Sequence, residues 1–262
     1  YLNVFHSDIN EFLDCKKINV DEKIRIKSLS IGVIVPDKFM ELAREDEICY
    51  TFHPHTVFLE YGQYLDEMDM NEMYEKLVDN PNVKKKKINA RELLIKISQT
   101  QKESGYPYLF FKDNANKEHA LKEIGSVKFS NLCTEIMQLS EVSDINPYFE
   151  EDVIRRGISC NLGSLNIATV MENKRIREAT RAAIDSLTTV SDLTNIDVVP
   201  SIKKANEELH SVGLGAMNLH GYFAKNFIMY ESREALDFCN VFFMMVNFYS
   251  LERSMEIARE KG

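Results

Sequence analysis

The chain has 262 residues, of which 44% are hydrophobic and 28% charged, with a formal net charge of −9, as in ordinary globular proteins. This charge argues against a protein that coats nucleic acid, which needs a basic surface, and no apolar run approaches the ~18 residues of a membrane span. Five cysteines without a C-x-x-C pair or zinc or iron–sulfur spacing favour a reducing compartment, so we expect a cytoplasmic protein.

The first quarter of the chain alternates helical and strand patterns. Asp8 is a plausible N-cap for a short helix over residues 8–17. The apolar, β-branched run Leu29–Val35 ends at Pro36, which predicts a buried strand. Residues 37–48 return to a helical pattern.

Two polar stretches suggest functions that we consider less favoured than structural explanations. His53 and His55 flank a proline and have no third candidate metal ligand nearby, which favours a surface loop. The four lysines Lys84–Lys87 could bind phosphate. However, no glycine-rich or aromatic neighbour supports a nucleotide cradle, so we predict a solvated loop or the start of a helix.

The middle of the chain has a helix–turn–strand pattern. Apolar residues at helical spacing predict a helix over Ala90–Glu103, and Gly105 is placed to end it. Tyr106–Phe111 then predicts a strand, followed by a loop. This order is typical of an α/β fold, in which active sites favour the loops beyond strand ends.

The second half is rich in predicted helices. A strand is predicted at Ile158–Ile167, followed by helices at Asn173–Leu193, Ser201–Ser211 and Ser232–Glu260, the last capped by its serine. The small residues Gly213–Ala216 favour close packing of a helix or turn.

An amide, a thiol and a carboxylate lie at alternate positions in the loop after the predicted strand. They belong to Asn131, Cys133 and Glu135. In an extended segment alternate side chains share a face, whereas on a helix the thiol would turn away from the other two. We therefore expect an extended loop if the three form a site. The alternative is that Cys133, between Leu132 and Ile136, is simply a small buried hydrophobe.

Three more stretches bear on that choice. Together with Ser130–Ile136 (SNLCTEI), the stretches Glu103–Tyr108 (ESGYPY), Ile158–Asn166 (ISCNLGSLN) and Val212–Gly221 (VGLGAMNLHG) resemble the catalytic large (alpha) subunit of class Ib ribonucleoside-diphosphate reductases. The resemblance covers nearly the whole chain. Leu132 stands where the cobalamin-dependent class commonly has proline, which favours an aerobic class I enzyme.

This resemblance implies a fold. The family has a ten-stranded α/β barrel made of two five-stranded parallel halves, with a finger loop inside. The matching regions would be the end of the first half-barrel at 1–127, the finger loop at 128–137 and the start of a helix-rich second half at 138–262. We expect residues 1–262 to be the central part of one catalytic barrel domain. The family's effector loops, phosphate-binding loop, radical-passing tyrosines and tail thiols would lie outside it.

The resemblance also implies residue roles. Cys133 would be the radical cysteine that abstracts the 3′-hydrogen of the ribose, and Glu135 would accept the 3′-hydroxyl proton. Asn131 would position the ribose hydroxyls. Cys160 would be one thiol of the reducing pair, with its partner expected before residue 1. The predicted substrate contacts are Asn131, Leu132, Cys133, Thr134, Glu135 and Leu162.

The implied substrate is a ribonucleoside diphosphate, and no metal or cofactor is expected in this chain itself. A small beta subunit with a dimanganese or diiron centre would supply the radical, and a glutaredoxin- or thioredoxin-like protein would re-reduce the thiols. ATP or deoxynucleoside triphosphates would be allosteric effectors, and a homodimer is expected. The 262-residue chain by itself is expected to be inactive.

Two other functions remain open at this point. The chain could be a catalytically incomplete assembly or nucleotide-responsive module, or another thiyl-radical barrel enzyme such as a glycyl-radical lyase. Neither Cys15 nor Cys49 lies in a matching motif, and Cys239 lies on an apolar helix side, so we interpret all three as structural.

Overall fold

The computed structural model describes residues 1–146, 148 and 151–261. The chain divides into two units, Tyr1–Val142 and Ser143–Gly262, each with its own hydrophobic core. The described strands form one three-stranded and two two-stranded sheets. This mixture of helices and strands confirms the predicted α/β class, and none of the sheets in the described part closes into a barrel.

The first unit contains six helices and five strands among its described residues. The helices are α1 (Ile9–Asp14), α2 (Asp37–Arg44), α3 (Pro54–Tyr61), α4 (Met70–Asp79), α5 (Ala90–Ser104) and α6 (Lys112–Glu118). The strands are β1 (Leu2–Asn3), β2 (Gly32–Ile34), β3 (Ile48–Phe52), β4 (Lys85–Asn89) and β5 (Tyr108–Phe110). A parallel sheet has the order β1-β2-β5, and β3 pairs with β4 in antiparallel fashion.

The middle strand β2 explains the apolar run in the sequence. All three of its residues are buried, and Val33 pairs with Leu2 on one side and Leu109 on the other. A strand covered on both faces needs apolar side chains throughout. At Gly32, an added Cβ would lie 2.3 Å from the ring of Tyr1, so the missing side chain is what lets that ring pack on the strand.

Both ends of helix α5 are set by residues next to them in the sequence. The Asn89 side chain accepts a hydrogen bond from the backbone N–H of Glu92, which caps the first turn. Gly105 follows the last turn with a φ of 78°, a conformation that side chains disfavour. The helix and its glycine stop are therefore confirmed, and β5 follows three residues later.

Several predictions for the first unit are wrong. His53 and His55 do not lie in a surface loop, because Pro54 begins helix α3 and His55 lies in its first turn. The lysine run is mostly strand β4, because pairing with β3 supplies its backbone partners and the Lys85 ammonium bonds carbonyls at the end of α4, including that of Asn80 at 2.8 Å. Helix α1 begins at Ile9, and Asp8 makes no side-chain cap bond. Its carboxylate instead accepts a hydrogen bond from the Ser7 hydroxyl at 2.9 Å.

The second unit contains two parallel strands and five helices among its described residues. The strands are β6 (Leu162–Asn166) and β7 (Gly213–Met217), and the helices are α7 (Ile167–Asn173), α8 (Ile176–Leu193), α9 (Pro200–Leu209), α10 (Leu219–Lys225) and α11 (Arg233–Lys261). In the described residues, no helix is both long and apolar enough to cross a membrane.

Here, too, several boundaries differ from the prediction. The small-residue run predicted as a helix or turn is strand β7, which pairs with β6 from Leu162–Gly213 to Asn166–Met217. Strand β6 begins at Leu162 rather than at Ile158. The predicted helix from Asn173 begins only at Ile176, because Lys174 adopts a left-handed conformation after α7.

Helices α8 and α11 are joined by ion pairs. Arg181 contacts Glu252 and Glu256 at 3.3 and 2.5 Å, and Arg253 contacts Asp185 at 2.6 Å. The start of α11 is capped as predicted, since the Ser232 hydroxyl accepts a hydrogen bond from the backbone N–H of Ala235. The ion pairs hold α8 and α11 together, and α8 also packs against β6.

Candidate active site

The loop that carries the amide, thiol and carboxylate is a turn, not an extended segment. It follows α6 in the first unit, and the N–H of Ile136 bonds the carbonyl of Cys133 at 2.9 Å. The expectation of an extended loop is therefore wrong, and the argument from alternating faces does not apply here. The reason is local, because an asparagine side chain can bond the backbone two residues on and so favours a turn.

That asparagine bond is present. Asn131 Oδ1 accepts a hydrogen bond from the backbone N–H of Cys133 at 2.8 Å. The bond requires the oxygen rather than the nitrogen to face Cys133, so the amide NH₂ group is directed to other partners. The Asn131 side chain is thus bonded directly to the backbone of Cys133.

Two hydroxyl groups hold the same turn, and the sequence did not indicate either as part of the site. The buried Ser130 Oγ lies 3.0 Å from the Cys133 carbonyl oxygen and 2.8 Å from that of Ile136. The Tyr1 hydroxyl donates to the carbonyl of Asn131 at 2.8 Å. A serine directly before an asparagine was the available signal for the first, whereas nothing local could indicate a residue 130 positions away.

The side chains of the turn differ in exposure. Asn131, Cys133 and Thr134 are half-buried, whereas Leu132 and Glu135 are exposed. Buried residues flank the segment, with Ser130 before it and Ile136 after it. The structure therefore places hydrogen-bond donors, a sulfur and a proton-accepting carboxylate within five consecutive residues that are anchored at both ends.

Cys160 and Leu162 belong to the second unit. Cys160 is exposed and lies two residues before β6. The intervening Asn161 is held by its side chain, which donates to the carbonyl of Leu187 at 2.9 Å, and by its own carbonyl, which accepts from the N–H of Gly213 at 2.9 Å. These bonds give the exposed thiol a defined backbone position at the strand end.

Leu162 begins β6 and is half-exposed. Its side chain lies against Gly213, where an added Cβ would be 2.6 Å from a methyl carbon of the leucine. Gly213 therefore provides space for this side chain, as the close packing predicted for the small residues Gly213–Ala216 implies. A leucine at a strand end can offer an apolar contact to a ligand.

The other cysteines lie in different surroundings. Cys15 and Cys49 are buried in the first unit, and burial raises the pKa of both thiols, that of Cys49 to about 11. A raised thiol pKa disfavours the reactive thiolate. This supports the interpretation of both as structural, and Cys239 is half-buried on α11.

Potential metal ligands are scattered in the part of the chain that the structure describes. Among them, no group of three or more His, Cys, Asp or Glu side chains is placed to hold a metal ion. The described site residues themselves offer thiols, a carboxylate and an amide.

Known proteins match this chain along its whole length. A family model described as "Ribonucleotide reductase, barrel domain" matches residues 1–262. The ribonucleoside-diphosphate reductase subunit alpha of Bacillus subtilis (strain 168) is 62% identical over 262 residues, which cover 100% of this chain and 37% of that protein. The subunit of the same name from Mycoplasma pneumoniae is 45% identical over 263 residues, covering 100% and 36%.

A solved structure has the same fold. It is the Actinobacillus ureae class Id ribonucleotide reductase alpha subunit, with a TM-score of 0.69 and 24% sequence identity. The match covers 99% of this chain and 41% of that one. The chain thus spans little more than a third of the length of the curated relatives named above.

Proposed function

The chain belongs to the ribonucleotide reductase barrel-domain family, and from that premise we propose that it carries the catalytic centre of a class Ib ribonucleoside-diphosphate reductase alpha subunit. The proposed reaction reduces ribonucleoside diphosphates to deoxyribonucleoside diphosphates for DNA synthesis. What carries the proposal is the match of the whole chain to this family, together with the amide, thiol and carboxylate on the turn 131–135.

The first steps use this turn. Cys133, as a thiyl radical, takes the hydrogen atom from C3′ of the ribose, so that an S–H bond forms and a C–H bond breaks. Glu135 accepts the proton of the 3′-hydroxyl, work that suits a carboxylate within hydrogen-bond reach. The amide N–H groups of Asn131 bind the ribose hydroxyls and hold C3′ against the sulfur.

The later steps need two electrons. The 2′-hydroxyl leaves as water, and Cys160 and a second thiol supply two electrons and close to a disulfide. Cys133 then returns a hydrogen atom to C3′ and is again a thiyl radical. One ribonucleoside diphosphate and one dithiol thus give one deoxyribonucleoside diphosphate, one disulfide and one water. The exposure of Cys160 supports this role, because a disulfide that must be reduced again has to be accessible.

Leu132, Thr134 and Leu162 complete the proposed substrate contacts. In terms of the barrel, residues 1–127 close the first half, 128–137 form the finger loop and 138–262 start the second half. The remainder of the barrel corresponds to the part of the relatives that this chain does not span. The intact protein is proposed to be cytoplasmic and homodimeric.

The proposed partners follow from the class. A beta subunit with a dimanganese or diiron centre supplies the radical to Cys133, and a glutaredoxin- or thioredoxin-like protein reduces the disulfide. ATP and deoxynucleoside triphosphates regulate the intact enzyme. The names of the Bacillus subtilis and Mycoplasma pneumoniae relatives support the alpha-subunit assignment.

The test replaces the sulfur. In a reductase that contains this chain and its beta subunit, Cys133→Ser should abolish deoxynucleotide formation, because a serine hydroxyl does not replace the thiyl radical. Cys239→Ser is the matched control, because it replaces a half-buried thiol on helix α11, and it should keep activity. Circular dichroism should be the same for both variants. Turnover that survives in Cys133→Ser would contradict the proposal.

A further inference from the structure

Ser130 makes the turn of the candidate site a closed unit. Its side chain is 2% exposed, and its single hydroxyl proton faces two carbonyl oxygens, those of Cys133 and Ile136. These carbonyls lie at the two ends of the tight turn, whose own bond runs from the N–H of Ile136 to the carbonyl of Cys133. The buried Ser130 hydroxyl therefore contacts both the first and the last residue of this tight turn.

Tyr1 ties the same turn to the parallel sheet. Its hydroxyl donates to the carbonyl of Asn131 at 2.8 Å, and its ring packs edge-on against Phe110 of β5 at 6.3 Å between centroids. The ring also covers Gly32 of β2, where any side chain would collide with it. The Tyr1 ring is thus packed against β2 and β5, and its hydroxyl bond connects these strands to the backbone of Asn131.

Together the two hydroxyls bond the backbone of the residues that carry the proposed chemistry. Both hydroxyls bond carbonyl oxygens, those of Asn131, Cys133 and Ile136. Hydrogen-atom and proton transfer depend on sub-ångström placement of the reacting groups, whereas substrate affinity comes from many contacts. A loosened turn would therefore affect the chemical step more than binding.

We propose that Ser130 and Tyr1 are positioning residues, which hold the turn 131–136 so that Cys133 and Glu135 meet the ribose in reactive geometry. The catalytic part of this proposal, that the restraint serves the reaction, rests on the proposed function. Its structural part, that these two hydroxyls restrain Cys133, is independent of it.

The first experiment measures that restraint without any activity. The complete alpha subunit that contains this chain is treated with iodoacetamide, and mass spectrometry gives the labelling rate of Cys133 relative to that of the exposed Cys160. Ser130→Ala should raise this ratio several-fold, and Tyr1→Phe should raise it less, because it removes one bond rather than two. Ser140→Ala is the matched control, since Ser140 is also 2% exposed and its hydroxyl is buried without a partner. The buried Cys49 reports global unfolding.

The second experiment measures turnover in the complete reductase. Ser130→Ala should lower kcat about tenfold, the effect of losing a buried hydrogen bond in the reactive geometry, while KM stays within about twofold. Tyr1→Phe should show a smaller change of the same kind, and Ser140→Ala should show none. A change in KM with kcat constant would overturn the positioning role.

The outcomes separate the two proposals. If Ser130→Ala and Tyr1→Phe both have the Cys133 labelling ratio and the kcat of Ser140→Ala, the positioning proposal is wrong even though Cys133→Ser is inactive. If Ser130→Ala also increases the labelling of Cys49, the variant has unfolded and does not test positioning. In that case, labelling and kcat of Tyr1→Phe equal to those of the wild type would overturn the proposal. If Cys133→Ser keeps turnover, the proposed function fails, while a raised labelling ratio still supports the restraint of Cys133 by the two hydroxyls.

Discussion

The side-chain oxygen of Asn131 accepts a hydrogen bond from the backbone N–H of Cys133 at 2.8 Å. The amide of this residue therefore has two separable uses. Its oxygen shapes the turn that carries the thiol, and its NH₂ group is the part that we propose binds the ribose. An isosteric change can remove one use and leave the other.

Asn131→Asp and Asn131→Ala should therefore differ. The aspartate keeps an acceptor for the Cys133 N–H but loses the donors, so the iodoacetamide labelling of Cys133 should stay as in the wild type while kcat/KM falls about tenfold or more. The alanine loses both, so labelling should rise and kcat/KM should fall further. Equal labelling of Cys133 in the two variants would show that the oxygen does not shape the turn.

The elements that the sequence predicted well are those with local causes. Helix α5 was predicted from its apolar spacing and its glycine stop at Gly105, and both signals act within a few residues. Strand β7 was missed because Gly213–Ala216 has no strand propensity of its own. Its conformation depends on pairing with β6, about 50 residues earlier, which a local pattern does not contain.

The candidate site shows the same division. Spacing and family resemblance indicated Asn131, Cys133 and Glu135, and the structure places them on one anchored segment. The turn itself was not predicted, because it depends on the buried Ser130 and on Tyr1 from the start of the chain. A contact over 130 positions leaves no pattern in a single sequence.

Glu135→Gln should remove general-base catalysis while leaving the fold intact. The side chain is exposed, so glutamine should be accommodated without strain. Loss of a positioned base typically costs about 10²–10⁴ in rate, and we expect kcat to fall within that range. The exposed Glu123→Gln in the same unit is the control for loss of one negative charge. A kcat within about threefold of wild type would exclude Glu135 as the base.

Cys160→Ser should abolish steady-state reduction driven by a dithiol. Serine has no sulfur to form the disulfide, so the two electrons for loss of the 2′-hydroxyl are missing. The measurement is deoxynucleotide formation together with peptide mapping of disulfides after turnover. Wild type should show a disulfide that includes Cys160, and Cys239→Ser should behave as wild type. Unchanged steady-state turnover in Cys160→Ser would mean that another pair supplies the electrons.

Asp66→Asn should change how the stability of the first unit depends on pH. Burial raises the pKa of the Asp66 carboxyl, although Lys112 and His6 oppose the rise, and one carboxyl oxygen is buried without a hydrogen-bond partner among the described residues. A carboxyl whose pKa is higher in the folded state binds more protons when folded. The free energy of unfolding therefore falls as the pH rises from the unfolded pKa, near 3.8, through the raised folded pKa.

Asparagine does not ionise, so the variant should lack this fall. The difference in unfolding free energy, Asp66→Asn minus wild type, should increase from about pH 3 to a plateau above the folded pKa, as measured by urea denaturation at a series of pH values. Asp79→Asn removes an exposed carboxylate of the same unit and should give a difference that is nearly independent of pH. If the Asp66→Asn difference decreased as the pH rose, the charged form of Asp66 would be the one that the fold stabilises, and the carboxylate would have to be compensated by Lys112 more strongly than burial penalises it.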